Sequence, residues 1–219
     1  MNSVAICMTL DAYVPSAFMV SFFKIKQKGS DFEVKAVITT QSILTDLAME
    51  TAVEKFLKTD CGWLLFIETD MSHPADAIER LLRHNLPVVG GVQTWKTKPF
   101  TPMVYRYRNK AFWGVGEDTQ QKTGPYQAVD ERELDGRLLQ VDGIATGCLL
   151  VRRDVFEKIK RPWFSFREGT QDFYFCRKVL AEGFTIHCDS SVTCGHFTTI
   201  QITLEEHRRY KMAHRGEKC

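Results

Sequence analysis

Between Trp63 and Ile67 the chain runs through five consecutive apolar residues, WLLFI, and then breaks at once into Glu68-Thr69-Asp70. A strand with no polar alternate has both faces buried, which is the situation inside a parallel sheet covered by helices on each side. The neighbouring segments fit that reading. Ser3 to Met8 is a short apolar run, and Phe32 to Thr39 alternates as a strand does. Pro15 and Ser16 open a helical stretch carrying Phe18, Met19, Phe22, Phe23 and Ile25, closed by Gly29. Thr45 to Lys58 places Leu47, Ala48, Val53, Phe56 and Leu57 on one helical side, Ala75 to His84 forms another helix, and Val88-Val89 begins a fourth strand. Strands and helices joined by short links predict an α/β domain with a mostly parallel central sheet flanked by helices.

The second half has a different texture. Residues 95–137 are rich in aromatics, Gly, Lys and Asp with no sustained period, and read as an irregular, flap-like insert over one edge of the sheet. Regular pattern returns at Leu138 to Arg152, as two strand segments around a Gly-rich break. A helix follows near Asp154 to Ile159, then a rigid Pro162-Trp163-Phe164 corner and a helix from Gln171 to Glu182 with Gly183 as its C-cap. Two short strands, Thr185 to Cys188 and Ser191 to Cys194, precede a basic terminal helix at 204–215. No linker or internal repeat divides the 219 residues, so the expectation is one domain spanning 1–219.

Charge sets bounds on partners. Lys and Arg total 29 against 27 Asp and Glu, a net of +2, so there is no global pull toward nucleic acid or membrane. No apolar run reaches the ~18 residues that span a bilayer, and the N-terminal stretch lacks the order of a signal peptide. Seven cysteines, an odd number without close pairs, suit reduced thiols better than a disulfide framework. The expected setting is cytoplasmic. Cys188, Cys194 and His196 fall close enough together to raise structural zinc, but no C-x-x-C knuckle accompanies them.

Four segments carry chemistry. Glu68-Thr69-Asp70 ends a buried strand, and in open α/β sheets ligands bind beyond the carboxyl ends of strands. Two carboxylates there repel unless a cation joins them, while Asp70 or Ser72 can equally cap the next helix. His196 follows a short strand and is either a ligand or a satisfied structural imidazole; with carboxylates it would suit Mn²⁺ better than Ca²⁺. Asp172 lies in the first turn of a helix capped by Thr170 or Gln171, where the helix dipole favours the ionised carboxylate. The small residues from Asp142 to Cys148 suggest a bulge or a close ligand approach.

Taken in order, acid-x-acid-Met, HPADAIERLLRHNLPVVGG, GIATGCLLVRRDVF, PWF, QDFYFC, AEGF and CGH resemble the GT-A glycosyltransferases, and more narrowly the compact glycosyltransferase-2-like proteins often encoded by phages and bacteria. The resemblance runs from Ser3 to about His196 and weakens across Trp95 to Arg137. It implies a Rossmann-like sheet and a metal-dependent transfer of a sugar from a nucleotide-sugar donor to a hydroxyl acceptor. Glu68, Thr69 and Asp70 match the family's D-x-D element, with Asp70 the stronger ligand for Mn²⁺ or Mg²⁺, and His196 completes the metal set. Thr9, Leu10, Asp11 and Thr40 stand where such enzymes hold the nucleoside. Asp172 matches the general base, with Gly147, Trp163 and Gln171 on the sugar and acceptor side. The chain departs from the pattern with Glu68 for the first Asp, Gln171 for the usual Glu, and Thr45-Asp46 where many relatives have Arg-Asn.

Two other readings compete. A nucleotidyltransferase should carry a Gly-rich, cationic loop after the first strand, and Thr9 to Tyr13 contains neither Gly nor cation. A non-catalytic nucleotide-sugar binder of the same fold would tolerate Glu68 and Gln171. The acceptor is open. The basic helix around His207 to Arg215, extended by Trp95, Lys96 and Lys98, either is a solvated terminal helix or touches a phosphate backbone, such as a modified DNA base's duplex, or an anionic membrane surface.

Overall fold

The computed structural model describes residues 1–10, 13–42, 44–107, 126–167, 169–198 and 201–213. Asp11, residues 108–125 of the insert and residues 214–215 of the basic helix lie outside them.

The chain opens with β1 (Asn2–Thr9), α1 (Ser16–Lys24), β2 (Phe32–Thr40), α2 (Thr45–Leu57) and β3 (Trp63–Glu68), the predicted strand–helix alternation. A short β4 (Met71–Ser72), α3 (Ala77–Arg83) and β5 (Val88–Val92) follow. The insert region supplies β6 (Val104–Tyr107) and β7 (Tyr126–Ala128). Then come β8 (Leu138–Val141), β9 (Gly143–Ile144), β10 (Cys148–Arg152), α4 (Arg153–Lys158) and α5 (Gln171–Ala181). The chain closes with β11 (Ile186–Thr193), β12 (Gly195–Phe197), β13 (Gln201–Ile202) and α6 (Leu204–Ala213).

Seven strands form one sheet in the order β2-β1-β3-β10-β5-β11-β8. β1 runs parallel to β2 and β3, and β11 runs parallel to β5. The sheet is mainly parallel, as expected, but β10 lies antiparallel between β3 and β5, and β8 closes the far edge antiparallel to β11. The two short strands predicted before His196 are one strand, β11, whose register against β5 slips between Asp189 and Thr193.

The sidedness of β3 follows from its sequence. Leu64 and Phe66 pack with α2, α4 and α5 on one face, through Val53, Phe56, Phe156 and Phe175. Trp63, Leu65 and Ile67 pack with α1 and α3 on the other, through Phe18, Phe22, Ile78 and Leu81. Each face of a strand shows alternate residues, so an unbroken apolar run is what two covered faces require. Three periodicity expectations fail: Met19 and Phe23 of α1 are 39% and 74% exposed, and Leu47 of α2 is 53% exposed.

A three-stranded sheet, β7-β6-β9, stands beside the main one, and a second small sheet, β13-β12-β4, ties the segment after β3 to the segment after β11. The N-terminal half of α6 is anchored: Leu204 and His207 are buried, and His207 Nδ1 lies 2.6 Å from the Pro99 carbonyl. Among the described residues no helix is long and apolar enough to cross a membrane.

Candidate functional site

The site forms where the carboxyl ends of β1, β3 and β5 meet the start of β10. Thr9 pairs in register with both Thr40 and Glu68. The Leu10 amide donates to the Thr40 carbonyl at 2.7 Å, and the Thr69 hydroxyl donates to the Thr9 carbonyl at 3.4 Å. Thr9, Leu10, Thr40 and Thr69 thus share one end of the sheet.

Antiparallel β10 brings a second set of residues to the same place. Cys148 pairs with Ile67, so Gly147 stands opposite Glu68, whose amide donates to the Gly147 carbonyl at 3.3 Å. A Cβ added at Gly147 would lie 2.2 Å from Gln93 Oε1 and 2.3 Å from Met71 Sδ. A side chain at this position would push the Gln93 and Met71 side chains aside. Thr146, which precedes it, is fully buried, and its hydroxyl lies 2.7 Å from Asp172 Oδ1 and 3.3 Å from Glu68 Oε1. One hydroxyl therefore couples the two carboxyl groups.

Pairing of β4 with β12 places His196 beside Met71, and the Phe197 amide donates to the Asp70 carbonyl at 2.7 Å. His196 Nδ1 lies 2.7 Å from the Thr94 carbonyl and donates to it, which leaves Nε2 facing Asp70 Oδ2 at 3.5 Å. An imidazole oriented this way by its far nitrogen is the usual arrangement of a metal-ligating histidine. Ligand atoms of Glu68, Asp70 and His196 all lie within 4.8 Å of one another. Asp70 Oδ1 is buried with no hydrogen-bond partner among the described residues, while Oδ2 takes the Lys96 ammonium. Two carboxylates, one of them with an orphaned buried oxygen, and one imidazole fit a hard or borderline divalent cation such as Mn²⁺ or Mg²⁺.

Electrostatics separates the three acids. Burial raises Glu68 to about 8, reinforced by the charges of Asp172 and Asp70. Burial also raises Asp172, to about 6, against the opposing hydrogen bonds from Thr146. The helix dipole, expected to favour the ionised form at that first-turn position, is outweighed by loss of water. Asp70 goes the other way: burial opposes ionisation, but hydrogen bonds and charges from His196 and Lys96 hold it at about 2.

Asp172 reaches the site from α5, whose N-cap is Thr170, its hydroxyl accepting from the Phe173 amide at 3.4 Å. Gln171 is half-buried at the first position of the same helix. Beside Asp172 a small, partly open cleft is lined by Trp95, Met103, Tyr105, Ala145 and Phe173. Trp95 Nε1 donates to the Tyr105 hydroxyl at 2.8 Å, and the Tyr105 ring meets Phe173 edge-on at 4.9 Å.

Several expectations are corrected here. Trp163, expected on the acceptor side, is a core residue: it is 6% exposed, and its indole N–H is shared between the Phe156 and Ile159 carbonyls. The tryptophan at the cleft is Trp95. Lys96, read as part of a basic patch, is paired with Asp70. The sequence grouping of Cys188, Cys194 and His196 is divided by the fold, His196 going to the acids and Cys194 to a separate buried cluster. Thr146 and Lys96 were missed as site residues. The signal for Thr146 was its place in the Gly-rich break, but its role depends on the antiparallel register of β10.

No protein-family model matches the sequence, and no curated protein matches it by sequence. Solved structures do match the fold. A197 from STIV superimposes with a TM-score of 0.60 at 19% identity, over 90% of this chain and 86% of that one. GalNAc-T7 with UDP, GalNAc and Mn²⁺ superimposes with a TM-score of 0.59 at 9% identity, over 96% of this chain. The alignment covers 48% of GalNAc-T7, so this chain spans about half its length. At these identities the likeness concerns the backbone alone, and it supports a GT-A-like α/β fold for this chain.

Proposed function

We propose that the chain is a metal-dependent glycosyltransferase that moves a sugar from a nucleotide-sugar donor to a hydroxyl acceptor. The observation that carries this reading is the convergence of Glu68, Asp70 and His196 within 4.8 Å at the strand ends, with Asp172 joined to Glu68 through Thr146. The structural likeness to a protein that holds UDP, GalNAc and Mn²⁺ supports it.

Asp70, His196 and Glu68 would hold the divalent cation, which when bound supplies positive charge against a diphosphate leaving group. Asp70 is ionised across the working range and is the anchoring ligand. Glu68 keeps its proton near neutrality until a cation beside it lowers its pKa, so loading the site releases a proton. Lys96, paired with Asp70, would add positive charge on the side where a diphosphate would lie. Thr9, Leu10, Thr40 and Thr69 line the end where the nucleoside would lie, and Asp11 belongs to the same proposal although it lies outside the described residues.

In the inverting form of the reaction, Asp172 takes the proton of the acceptor hydroxyl as that oxygen bonds to the anomeric carbon. The bond from that carbon to the diphosphate oxygen breaks, and the electron pair leaves with the diphosphate. A base with a pKa of about 6 is ionised at neutral pH yet still basic enough to help. Trp95, the part-exposed ring of this cleft, is of the kind against which a sugar packs, with Tyr105 and Phe173 buried behind it. Gly147 and Gln171 border this side of the site.

The test is hydrolysis of a panel of nucleotide sugars with and without Mn²⁺. Turnover that requires metal and is lost in Asp70→Ala supports the reading, and donor binding without turnover under every metal would overturn it in favour of a non-catalytic binder. DNA as acceptor rests on α6. There Arg209 pairs with Glu205, Lys211 pairs with Glu131, and Arg208 donates to the Leu134 carbonyl, so these cations already have partners within the chain. Salt-sensitive retention on duplex DNA would revive that acceptor; no retention at low salt removes it.

A further inference from the structure

Behind the acid site, on the side of the sheet covered by α1 and α3, His73, Cys148 and Cys194 come together in the core. A ring nitrogen of His73 and the two sulfurs all lie within 4.8 Å of one another, and all three residues are buried. Both thiols are free. His73 Nε2 lies 2.7 Å from the Gly147 carbonyl, which can only accept, so that nitrogen carries the proton and Nδ1 carries the lone pair. Nδ1 is buried and has no hydrogen-bond partner among the described residues. His73 itself is 7% exposed, and a lone pair left unpartnered in such a place is destabilising.

We infer that His73, Cys148 and Cys194 form a second, buried cation site of soft character, for which Zn²⁺ is the best-matched metal. Two thiols lose their protons to solvent as the ion binds, and two thiolates with one dication sum to zero charge. That neutrality is what an apolar interior demands of a buried ionic group. Imidazole and thiolate are the ligand types of structural zinc, whereas the carboxylate-rich set at Asp70 suits a harder ion. Burial keeps the imidazole neutral, with its pKa lowered to about 4, so it is available as a ligand throughout the physiological range.

The positions of the three ligands give the site a purpose. His73 lies just past Asp70, Cys148 follows Thr146 and Gly147, and Cys194 just precedes His196. A single ion here would tie together the three segments that deliver Asp70, Thr146 and His196 to the candidate active site. It is a fastening for the metal-and-base constellation, and it stands whether or not the chain transfers a sugar.

The experiment uses the full chain, purified under thiol reductant, stripped with a chelator and titrated with Co²⁺ and then Zn²⁺. The expected result is a thiolate-to-cobalt charge-transfer band that saturates at one ion per chain and is displaced by Zn²⁺. Cys148→Ser and Cys194→Ser should each abolish the band and weaken Zn²⁺ binding by more than about 100-fold. Asp70→Ala with His196→Ala should leave the band intact, which separates this site from the acid site. Where a serine variant does not fold, X-ray absorption on the Zn²⁺-loaded wild type decides, with sulfur neighbours at about 2.3 Å expected. Absence of the charge-transfer band, its survival in the double serine variant, a zinc shell of oxygen and nitrogen only, or a Cys148–Cys194 disulfide formed in place of metal binding would each overturn the inference.

Discussion

Asp172 and Glu68 hold protons in the folded chain at pH values where an unfolded chain would have released them, because burial penalises their charged forms. The folded state therefore binds more protons than the unfolded state between about pH 4 and the raised pKa values, and stability falls as pH rises through that window. Asp172→Asn should thus stabilise the protein at pH 7 by about 2–3 kcal/mol and change little at pH 4, as a urea titration at the two pH values would read. The same variant should cost transfer activity at least about 100-fold, and the acid limb of the wild-type kcat/KM profile should turn near pH 6. A pH-independent stability difference between wild type and variant would contradict the burial argument. Gly147→Ala forces a methyl against the Gln93 and Met71 side chains, so it should destabilise by about 1–3 kcal/mol in a urea titration and lower metal affinity in a separate Mn²⁺ titration, since Gly147 faces Glu68. The acids were legible in the sequence because they interrupt apolar or capped segments. Thr146 and Lys96 were not, because one acts through a register and the other through a loop that returns across the site.

At the level of elements, the strand–helix rhythm could be read from periodicity where both faces of a strand are covered, as in β3, or where a cap marks a helix, as Thr170 marks α5. Periodicity failed at Met19, Phe23 and Leu47, which are apolar and helical yet face solvent. The corner after α4 was legible as rigid from Pro162-Trp163-Phe164, but what fixes it was not. Glu50 of α2 is buried, and its Oε1 accepts from the Trp163 and Phe164 amides at 2.5 and 2.7 Å. Arg161 approaches the other oxygen at 3.2 Å. Glu50→Ala leaves two interior amides without acceptors and should cost about 3 kcal/mol by urea denaturation. Glu50→Gln keeps one acceptor oxygen and should recover about half of that loss. A glutamate on a helix face whose other members are apolar was the available signal, and it pointed to a partner without naming it.

For the molecule as a whole, strand order is the part that composition and motif could not supply. The order of segments suggested a mainly parallel sheet, and the likeness to A197 from STIV and to GalNAc-T7 extends over nearly the entire chain. The insertion of β10 between β3 and β5 has a consequence for how the chain is made. β5 has only β10 and β11 as neighbours in the main sheet, and both are synthesised long after it. On the ribosome, β1, β2 and β3 can assemble as a unit while Val88 to Val92 waits as a bare apolar ribbon with unpaired backbone on both sides. A chain halted before Cys148 should accordingly aggregate or bind chaperones, and one extended through Thr193 should become protease-resistant, as arrested nascent chains of graded length would report. The same late strand that delivers Gly147 to the candidate site is the one that lets the two halves of the sheet find each other, and Asp172 and His196 reach the site only after it.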